Sequence, residues 1–573
     1  MTAVALSGRE APTLHSPLRS ARWIPVVAAI STYLLYAVPA AWAGRRGISS
    51  FQDDAFYYLV TAKHFLQNGT FSFDGITPTN GFHPLWMAGV AAVLRVIGES
   101  AAPEQQIFAV KLLEIVVLGL AVLTCCRFFL RDSTRGDVWA WGYLAIVLLL
   151  VCPYYVVFQQ GMETTLAALL FVLALEAFVS RRSVRLAIAV VLLFLCRLDT
   201  AIFVGVPLAL AHAWDGEGSR RGRALPLAVL VAGVLAVSFV NVLTTGHAVP
   251  ISGAIKSSFP HVTFHPQFLV EPINIVRMFG WRHLLVDINI LLVGGMLVGD
   301  ALLLPLANLP PGDRRQVAVV VAIGLLLLAN LLLFQQWEKS IDPRYFALPA
   351  IAALFGAGTL LGAIVRRVMA SAARLARASA RDRERFARAA SLAACVALSS
   401  VGLSLEALAL AGRAPVVMAQ RDDPTRQLFK DVAAHLPPDA ILAGTDVGAL
   451  AFWTGRPVVN LDGVVNDYAY QDAIRDQRLL SYLHARHVTH LATGLWDRPQ
   501  TYTERPTEPV YLHQIDAAAV RGTYDCHVYF AYSYVYRVYS DRFCLRAGDE
   551  VFRRALGKHG IADTAYVVYR LRP

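Results

Sequence analysis

The chain has 573 residues, of which 56% are hydrophobic and only 16% are charged, and its formal net charge is +11. An ordinary soluble protein carries about 25% charged residues, so this composition excludes a typical soluble enzyme, a disordered chain and a small disulfide-held secreted domain. The mean hydropathy of +0.49 indicates a membrane protein with several spans. The basic residues lie between apolar segments, so we assign them to membrane topology and expect no nucleic-acid partner.

Long apolar segments predict the membrane-spanning helices, because a helix needs about 20 mostly apolar residues to cross a bilayer. Candidates of that kind lie at residues 23–43, 107–130, 139–155, 164–180, 224–244, 283–307, 316–337, 345–365 and 389–411. The apolar stretch 186–214 is interrupted by Arg197, Leu198 and Asp199, which predicts two short spans separated by a charged break. The segment 84–97 is short and contains Arg95, so it fits an interfacial helix better than a span.

The positions of the basic clusters predict the orientation. If the segment 84–97 lies flat and the N-terminus is cytoplasmic, nearly all Arg clusters between spans face the cytoplasm. This arrangement gives a polytopic α-helical protein with about 11 spans in the inner (plasma) membrane. Residues 1–22 are then a cytoplasmic tail, and residues 23–412 form the membrane domain with its first outer loop at 44–106. The first apolar segment is interpreted as a retained span, not a cleaved signal peptide.

Hydropathy falls after residue 412, so residues 413–573 are predicted to form an extracytoplasmic α/β domain. Asp423 before Pro424 predicts the start of a helix that runs to about His435. Short strands are predicted at residues 440–443, 457–460 and 488–492. Cys526 and Cys544 are candidates for a disulfide because two cysteines in an oxidising compartment can pair, although the sequence does not give their distance.

The first outer loop contains the residues that point to chemistry. Asp53 and Asp54 begin a predicted amphipathic helix that ends at Asn68 and Gly69. Helix capping explains one acid at this position. It explains two adjacent acids less well. Desolvation at the membrane surface and a like-charged neighbour both raise the pKa of a carboxylate, and a raised pKa favours a role as general base.

This loop resembles that of the GT-C glycosyltransferase superfamily, whose members are polytopic enzymes that use a polyprenyl-phosphate sugar. The acid pair Asp53-Asp54, the helix to Leu66 and the interfacial segment 84–97 match the family pattern, and the architectural resemblance covers residues 20–411. The loop is also similar to that of bacterial arabinofuranosyl- and mannosyl-type members. The motifs at 444–450 and 459–463 resemble the tails of uncharacterised bacterial members.

The resemblance implies a GT-C-like fold and an inverting transfer of a sugar to an extracytoplasmic glycan, lipid or protein acceptor. It implies Asp53 as the first choice for the general base. Asp54 is the second choice, or a group that orients the acceptor or a metal. The two acids could hold Mg²⁺ or Mn²⁺, although a monophosphate donor needs less charge neutralisation than a pyrophosphate.

Basic residues on the outer side are few, and they are candidates for binding the donor phosphate. Lys256, Arg344 and Arg197 are the three candidates, because charges at span ends are costly to insert. A plainer interpretation exists for each: a solvated loop charge for Lys256, an interfacial anchor for Arg344, and pairing with Asp199 for Arg197.

Three further residues are candidates for substrate binding. They are Tyr57, His83 and Glu163. Glu163 is also placed to cap a helix, and interfacial packing would explain His83 and Tyr57.

Two other functions remain open from the sequence. One is a lipid-linked-sugar transporter or flippase, which would place charges at mid-membrane and often shows paired halves. The other is a non-catalytic protein of envelope glycan assembly. The clustering of charges at outer span ends favours the enzyme.

Overall fold

The computed structural model describes residues 23–45, 51–98, 100–132, 160–214, 219–262, 289–307, 309–335, 343–375, 424–497, 527–529, 531–533, 538–559 and 562–572. The predicted spans at 139–155 and 389–411 lie outside the described residues, as does Cys526.

The apolar segments within the described residues form α-helices. Up to residue 375 these helices are α1 (Trp23–Arg45), α2 (Asp53–Asn68), α3 (Pro84–Ile97), α4 (Pro103–Asp132), α5 (Thr164–Val179), α6 (Ser183–Cys196), α7 (Val206–Trp214), α8 (Arg220–Thr245), α9 (Ile251–Lys256), α10 (Asn289–Leu303), α11 (Pro311–Leu333) and α12 (Ala347–Leu375). Segments at Pro103–Phe128, Arg220–Thr245 and Pro311–Leu333 are long and apolar enough to cross a membrane. The architecture is that of a polytopic membrane protein, and the count of about 11 spans stays a prediction.

The predicted break in the 186–214 stretch is present. Helix α6 ends at Cys196, Arg197 is extended, and a short π-helix (Ala201–Gly205) leads into α7. Arg197 forms an ion pair with Asp199 at 2.9 Å, so the two charges that interrupt the apolar sequence neutralise each other. Apolar side chains of α4, α5, α6, α11 and α12 form one buried core around this region.

The first outer loop is built from two helices. Helix α2 begins at the acid pair and ends where Gly69 adopts a left-handed conformation with φ 72°, and the Gly69 N–H donates to the carbonyl of Phe65. Left-handed geometry favours glycine, so this residue ends the helix at the predicted position. Helix α3 covers Pro84–Ile97, with proline at its first turn.

The C-terminal region, here the described residues from Pro424 onward, is an α/β unit. Its helices are α13 (Pro424–His435), α14 (Gly448–Thr454), α15 (Tyr468–Arg475) and α16 (Leu479–Ala485). Its strands are β1 (Leu442–Gly444), β2 (Val458–Asn460), β3 (His490–Asp497), β4 (His527–Tyr529), β5 (Tyr532–Ser533), β6 (Val538–Tyr539), β7 (Phe543–Leu545), β8 (Glu550–His559) and β9 (Ala562–Arg570). One sheet has the order β2-β1-β3-β9-β8, with β1 parallel to β2 and β3, and β9 antiparallel to β3 and β8.

The C-terminal region shares a hydrophobic core with the first outer loop. Trp86 and Val90 of α3 belong to the same buried cluster as Leu442 of β1 and Leu450 of α14. Helix α2 lies between them, and its residues 55–62 are all buried. The loop and the C-terminal region therefore form one packed unit, which also includes Ile107 and Val110 at the start of α4.

Candidate active site

A cavity of about 930 Å³ lies beside the first turns of α2. Its wall combines the outer loop, the break after α6, the segment around α9, the residues before α12 and the C-terminal region. Part of the lining is apolar and includes Ile202, Phe203 and Phe259. The cavity thus joins an apolar surface from the membrane part to a charged centre.

The charged centre contains three acids and three bases. The acids are Asp54, Glu163 and Asp199, and the bases are Arg197, Lys256 and Arg344. All three candidate phosphate-binding residues therefore line one cavity, although they are far apart in the sequence. Their formal charges balance those of the acids.

Asp54 is held by two of the cations. Its Oδ2 lies 2.6 Å from Nη2 of Arg344 and 3.7 Å from Nζ of Lys256. Arg344 also donates to Oε1 of Gln52 at 2.7 Å, which fixes the guanidinium plane. Burial alone would raise the pKa of Asp54, but Lys256 and Arg344 outweigh it and lower the pKa to about 2.

Asp53 faces the C-terminal region and is not among the residues that line the cavity. Its two carboxylate oxygens accept hydrogen bonds from the backbone N–H groups of Gly448 and Ala449, at 2.7 and 2.8 Å. Burial raises the pKa of Asp53 to about 7, against the opposing effect of these two hydrogen bonds. The adjacent acids therefore have different surroundings and different partners.

Tyr57 lines the cavity, and its hydroxyl is bonded to the C-terminal region. The hydroxyl donates to Oδ2 of Asp462 at 2.7 Å and accepts from Nδ2 of Asn460 at 3.0 Å. Burial, with Asp462 nearby, raises the pKa of Tyr57 well above its ordinary value. The sequence identified Tyr57 as a candidate, but it gave no sign of these partners.

His83 and Glu163 meet on another wall of the cavity. Nε2 of His83 lies 3.7 Å from Oε1 of Glu163, and the hydroxyl of Tyr58 donates to Oε2 of Glu163 at 3.2 Å. Glu163 stands before the first turn of α5 and makes no side-chain cap there. Burial lowers the pKa of His83, which favours the neutral imidazole at pH 7.

A turn at Gly161 packs against Phe51 and Ala55, the residues that flank the acid pair. Its N–H donates to Oε1 of Glu114 at 2.7 Å, and its carbonyl accepts from Nε1 of Trp86 at 3.1 Å. Glu114 is itself paired with Lys111 at 3.3 Å. Sequence reasoning missed these contacts. The signal that could have indicated them was the presence of two charged residues, Lys111 and Glu114, in the apolar helix α4.

The carboxylates of the acid pair are not arranged as a chelate, because Asp53 is bonded to two N–H groups and Asp54 to two cations. Among the described residues there is no group of three or more His, Cys, Asp or Glu side chains that could hold a metal ion. Cys544 is disulfide-bonded, and its candidate partner Cys526 lies outside the described part of the chain.

Comparison with known proteins gives a match in the C-terminal region. Residues 419–546 match a family described as "Domain of unknown function (DUF8728)". No curated protein matches the chain.

Two solved structures of ArnT from Cupriavidus metallidurans are similar to this chain. The one bound to undecaprenyl phosphate is 12% identical, covers 94% of this chain and 98% of its own, and gives a TM-score of 0.47. The apo structure is 14% identical, covers 82% of this chain and 93% of its own, and gives a TM-score of 0.46. At these values the similarities assign no activity to this chain.

Proposed function

We propose that this protein is a membrane glycosyltransferase of the GT-C type, which moves a sugar from a polyprenyl-phosphate donor to an acceptor outside the membrane. The observation that carries the proposal is the position of Asp54 between Arg344 and Lys256 in the cavity wall. One cavity then offers a carboxylate for a proton, cations for a phosphate and an apolar surface for a lipid.

The two cations are suited to hold the donor phosphate. Arg344 presents a planar fork that matches phosphate oxygens, and Lys256 adds a point charge beside it. Both cations are engaged by Asp54, so an incoming phosphate competes with this carboxylate. Binding of the donor therefore withdraws the charges that lower the pKa of Asp54 and makes it a stronger base.

The reaction then needs one proton transfer and one displacement. The acceptor oxygen forms a bond to the anomeric carbon while the bond from that carbon to the phosphate oxygen breaks. Asp54 takes the hydroxyl proton, and the phosphate leaves as an anion held by Arg344 and Lys256. Attack from the face opposite the phosphate inverts the anomeric centre.

Asp53 is less well placed for this proton. It lies outside the cavity lining, and both of its oxygens accept hydrogen bonds. Its pKa of about 7 suits a general base, so the choice between the two acids rests on position. Glu163, His83 and Tyr57 remain candidates for contacts with the sugar or the acceptor.

The test is a turnover and thermal-shift assay of the purified protein with polyprenyl-phosphate-linked arabinofuranose and mannose as donors and octyl glycosides as acceptors. We expect one donor to stabilise both wild type and Asp54→Asn, while Asp54→Asn loses about 10²–10⁴-fold in turnover. Asp472→Asn, on the exposed side of α15, is the matched control and should transfer at the wild-type rate. Normal transfer by Asp54→Asn, or no binding of either donor, would reject the proposal in favour of a transporter or assembly protein.

The proposed reaction requires the cavity to face the outside of the inner membrane, with the N-terminus in the cytoplasm. Gly548 lies at an open position of the C-terminal region. Gly548→Cys should therefore react with a membrane-impermeant maleimide in intact cells. Protection of this thiol until the cells are lysed would contradict the orientation.

A further inference from the structure

The C-terminal region packs tightly against the first outer loop, because the two backbones approach each other closely at two glycines. A Cβ atom on Gly448 would lie 2.2 Å from the carbonyl oxygen of Asp53. A Cβ atom on Gly81 would lie 1.9 Å from the carbonyl oxygen of Val464. Both distances are too short for a side chain, so the contacts require glycine on each side of the interface.

Polar contacts join the same two surfaces. Asp53 accepts hydrogen bonds from Gly448 and Ala449 at the start of α14. A second junction forms at Asp462, whose Oδ2 accepts from the Tyr57 hydroxyl at 2.7 Å and from the Asp446 N–H at 3.0 Å. The bonds from Asp53 and Tyr57 join residues 395 to 405 positions apart in the sequence, whereas the Asp446–Asp462 bond lies within the C-terminal region and orients the Asp462 carboxylate.

The C-terminal region also forms part of the cavity wall. Val464, Val465 and Tyr468 line the cavity, and the ring of Tyr468 stacks on His247 with centroids 3.7 Å apart. The hydroxyl of Tyr468 donates to the carbonyl of Val249. Val464 and Val465 belong to the buried cluster that the outer loop shares with the C-terminal region, whereas Phe203 of the apolar lining belongs to the core of the membrane helices.

We infer that the C-terminal region completes the active site by forming its acceptor-side wall, and that Asp53 is the positioning residue that fastens this wall to the outer loop. The inference rests on the proposed function, since it assigns the lipid donor to the apolar lining and the acceptor to the remaining wall. Residues 419–546, which match the domain family of unknown function, would then form one wall of the active-site cavity in this protein.

The chemistry of the contact explains why a carboxylate stands at position 53. Two N–H groups at the start of a helix point the same way and need two acceptor oxygens. A carboxylate supplies both, whereas an amide supplies one oxygen and would turn its NH₂ group toward the second N–H. Asp54, one residue later on the helix, points to the cations instead.

The experiment separates docking from chemistry in the full-length protein. Asp53→Ala removes the loop side of the contact, and Gly448→Ala blocks it from the other side. Gly548→Ala is the matched control, because a Cβ atom there meets nothing within 4 Å. Hydrogen exchange of residues 447–468 measures docking, and steady-state kinetics with an octyl glycoside acceptor measure its consequence.

Both docking variants should accelerate exchange in residues 447–468 and raise the KM for the octyl glycoside by about 10-fold or more, while the KM for the donor changes by less than about 2-fold. A loss of folded protein would lower kcat without this split between the two substrates. Gly548→Ala should match wild type in both measurements.

The inference is overturned if Asp53→Ala leaves exchange unchanged and lowers kcat by more than about 100-fold, because Asp53 would then act in the chemistry. It is also overturned if both docking variants accelerate exchange and leave the acceptor KM unchanged. If no sugar transfer is found for wild type, the proposed function fails, and the exchange data still show whether Asp53 fastens the C-terminal region.

Discussion

Asp54 and the cations beside it stabilise one another. Removal of the carboxylate would leave Arg344 and Lys256 with less negative charge beside them in the cavity wall. This lowers the free energy of unfolding by more than the loss of an exposed ion pair would. The same arrangement keeps the site neutral before the donor arrives. A single residue thus contributes to folding and to the proposed chemistry.

The low pKa of Asp54 makes its contribution to stability depend on pH. A carboxyl whose pKa falls from 3.8 to about 2 on folding stabilises the protein above the ordinary pKa and loses this effect as the pH falls toward 2. A shift of this size corresponds to about 2 kcal/mol. Asp54→Asn should therefore unfold at a lower temperature than wild type at pH 7, and the gap should narrow between pH 5 and pH 3. A gap that stays constant over this range would contradict the ion-paired state.

Arg344 is expected to be sensitive even to a conservative change. Two different nitrogens of the Arg344 guanidinium bond to Gln52 and to Asp54. A lysine has a single side-chain nitrogen and cannot reproduce this two-nitrogen geometry. Arg344→Lys should lower kcat/KM for the donor by about 10–100-fold, measured as initial rates over a donor series. Arg220→Lys, at the exposed first residue of α8, is the control and should leave the kinetics unchanged.

At the scale of elements, the helix bounds were predictable because their signals are local. Each signal lies within a few residues of the helix end that it predicts. These signals are the acid pair and Asn68-Gly69 for α2, and the first-turn prolines of α3 and α13. The apolar pattern of α2 predicted one buried face. The structure buries both faces over residues 55–62, because the C-terminal region covers the second one.

The long-range part of the site could not be predicted in the same way. The scarcity of outer cations singled out Arg344 and Lys256, but nothing local shows that both meet Asp54, which is 290 residues from Arg344. Asp53 shows the limit most clearly. The family resemblance implied Asp53 as the general base, which stays a prediction, but nothing in the sequence indicated its hydrogen bonds to Gly448 and Ala449.

The turn before α5 provides a test of how the acid pair is supported. Gly161 has φ 79°, and a Cβ atom there would lie 2.6 Å from Cβ of Ala55. Gly161→Ala should destabilise the protein by about 2–3 kcal/mol, since both the conformation and the space oppose a methyl group. Thermal unfolding measures this change, with Gly295→Ala in α10 as the control because nothing lies within 4 Å of it. Equal melting temperatures for the two variants would mean that the turn adapts.

At the scale of the whole molecule, the outer loop and the C-terminal region share one core, which Ile107 and Val110 at the start of α4 also join. Ion pairs at the edge add little to this unit. Glu104 at the start of α4 contacts Arg426 and Lys430 of α13 at 3.2 and 3.6 Å, and such partly exposed pairs contribute about 0–1 kcal/mol. The shared apolar core should therefore dominate the coupling between the two parts.

This shared core predicts that damage in the C-terminal region spreads to the acid-pair helix. Leu450 of α14 is fully buried in the cluster that includes α2, whereas Leu483 of α16 is equally buried in a separate cluster of the C-terminal region. Truncation of either leucine to alanine costs about 2–5 kcal/mol. Leu450→Ala should accelerate hydrogen exchange in α2 and lower turnover, while Leu483→Ala should accelerate exchange around α15 and α16 and leave α2 protected. Equal effects of the two variants on α2 would show that the C-terminal region responds as a single body, with no special coupling through the core that it shares with the loop.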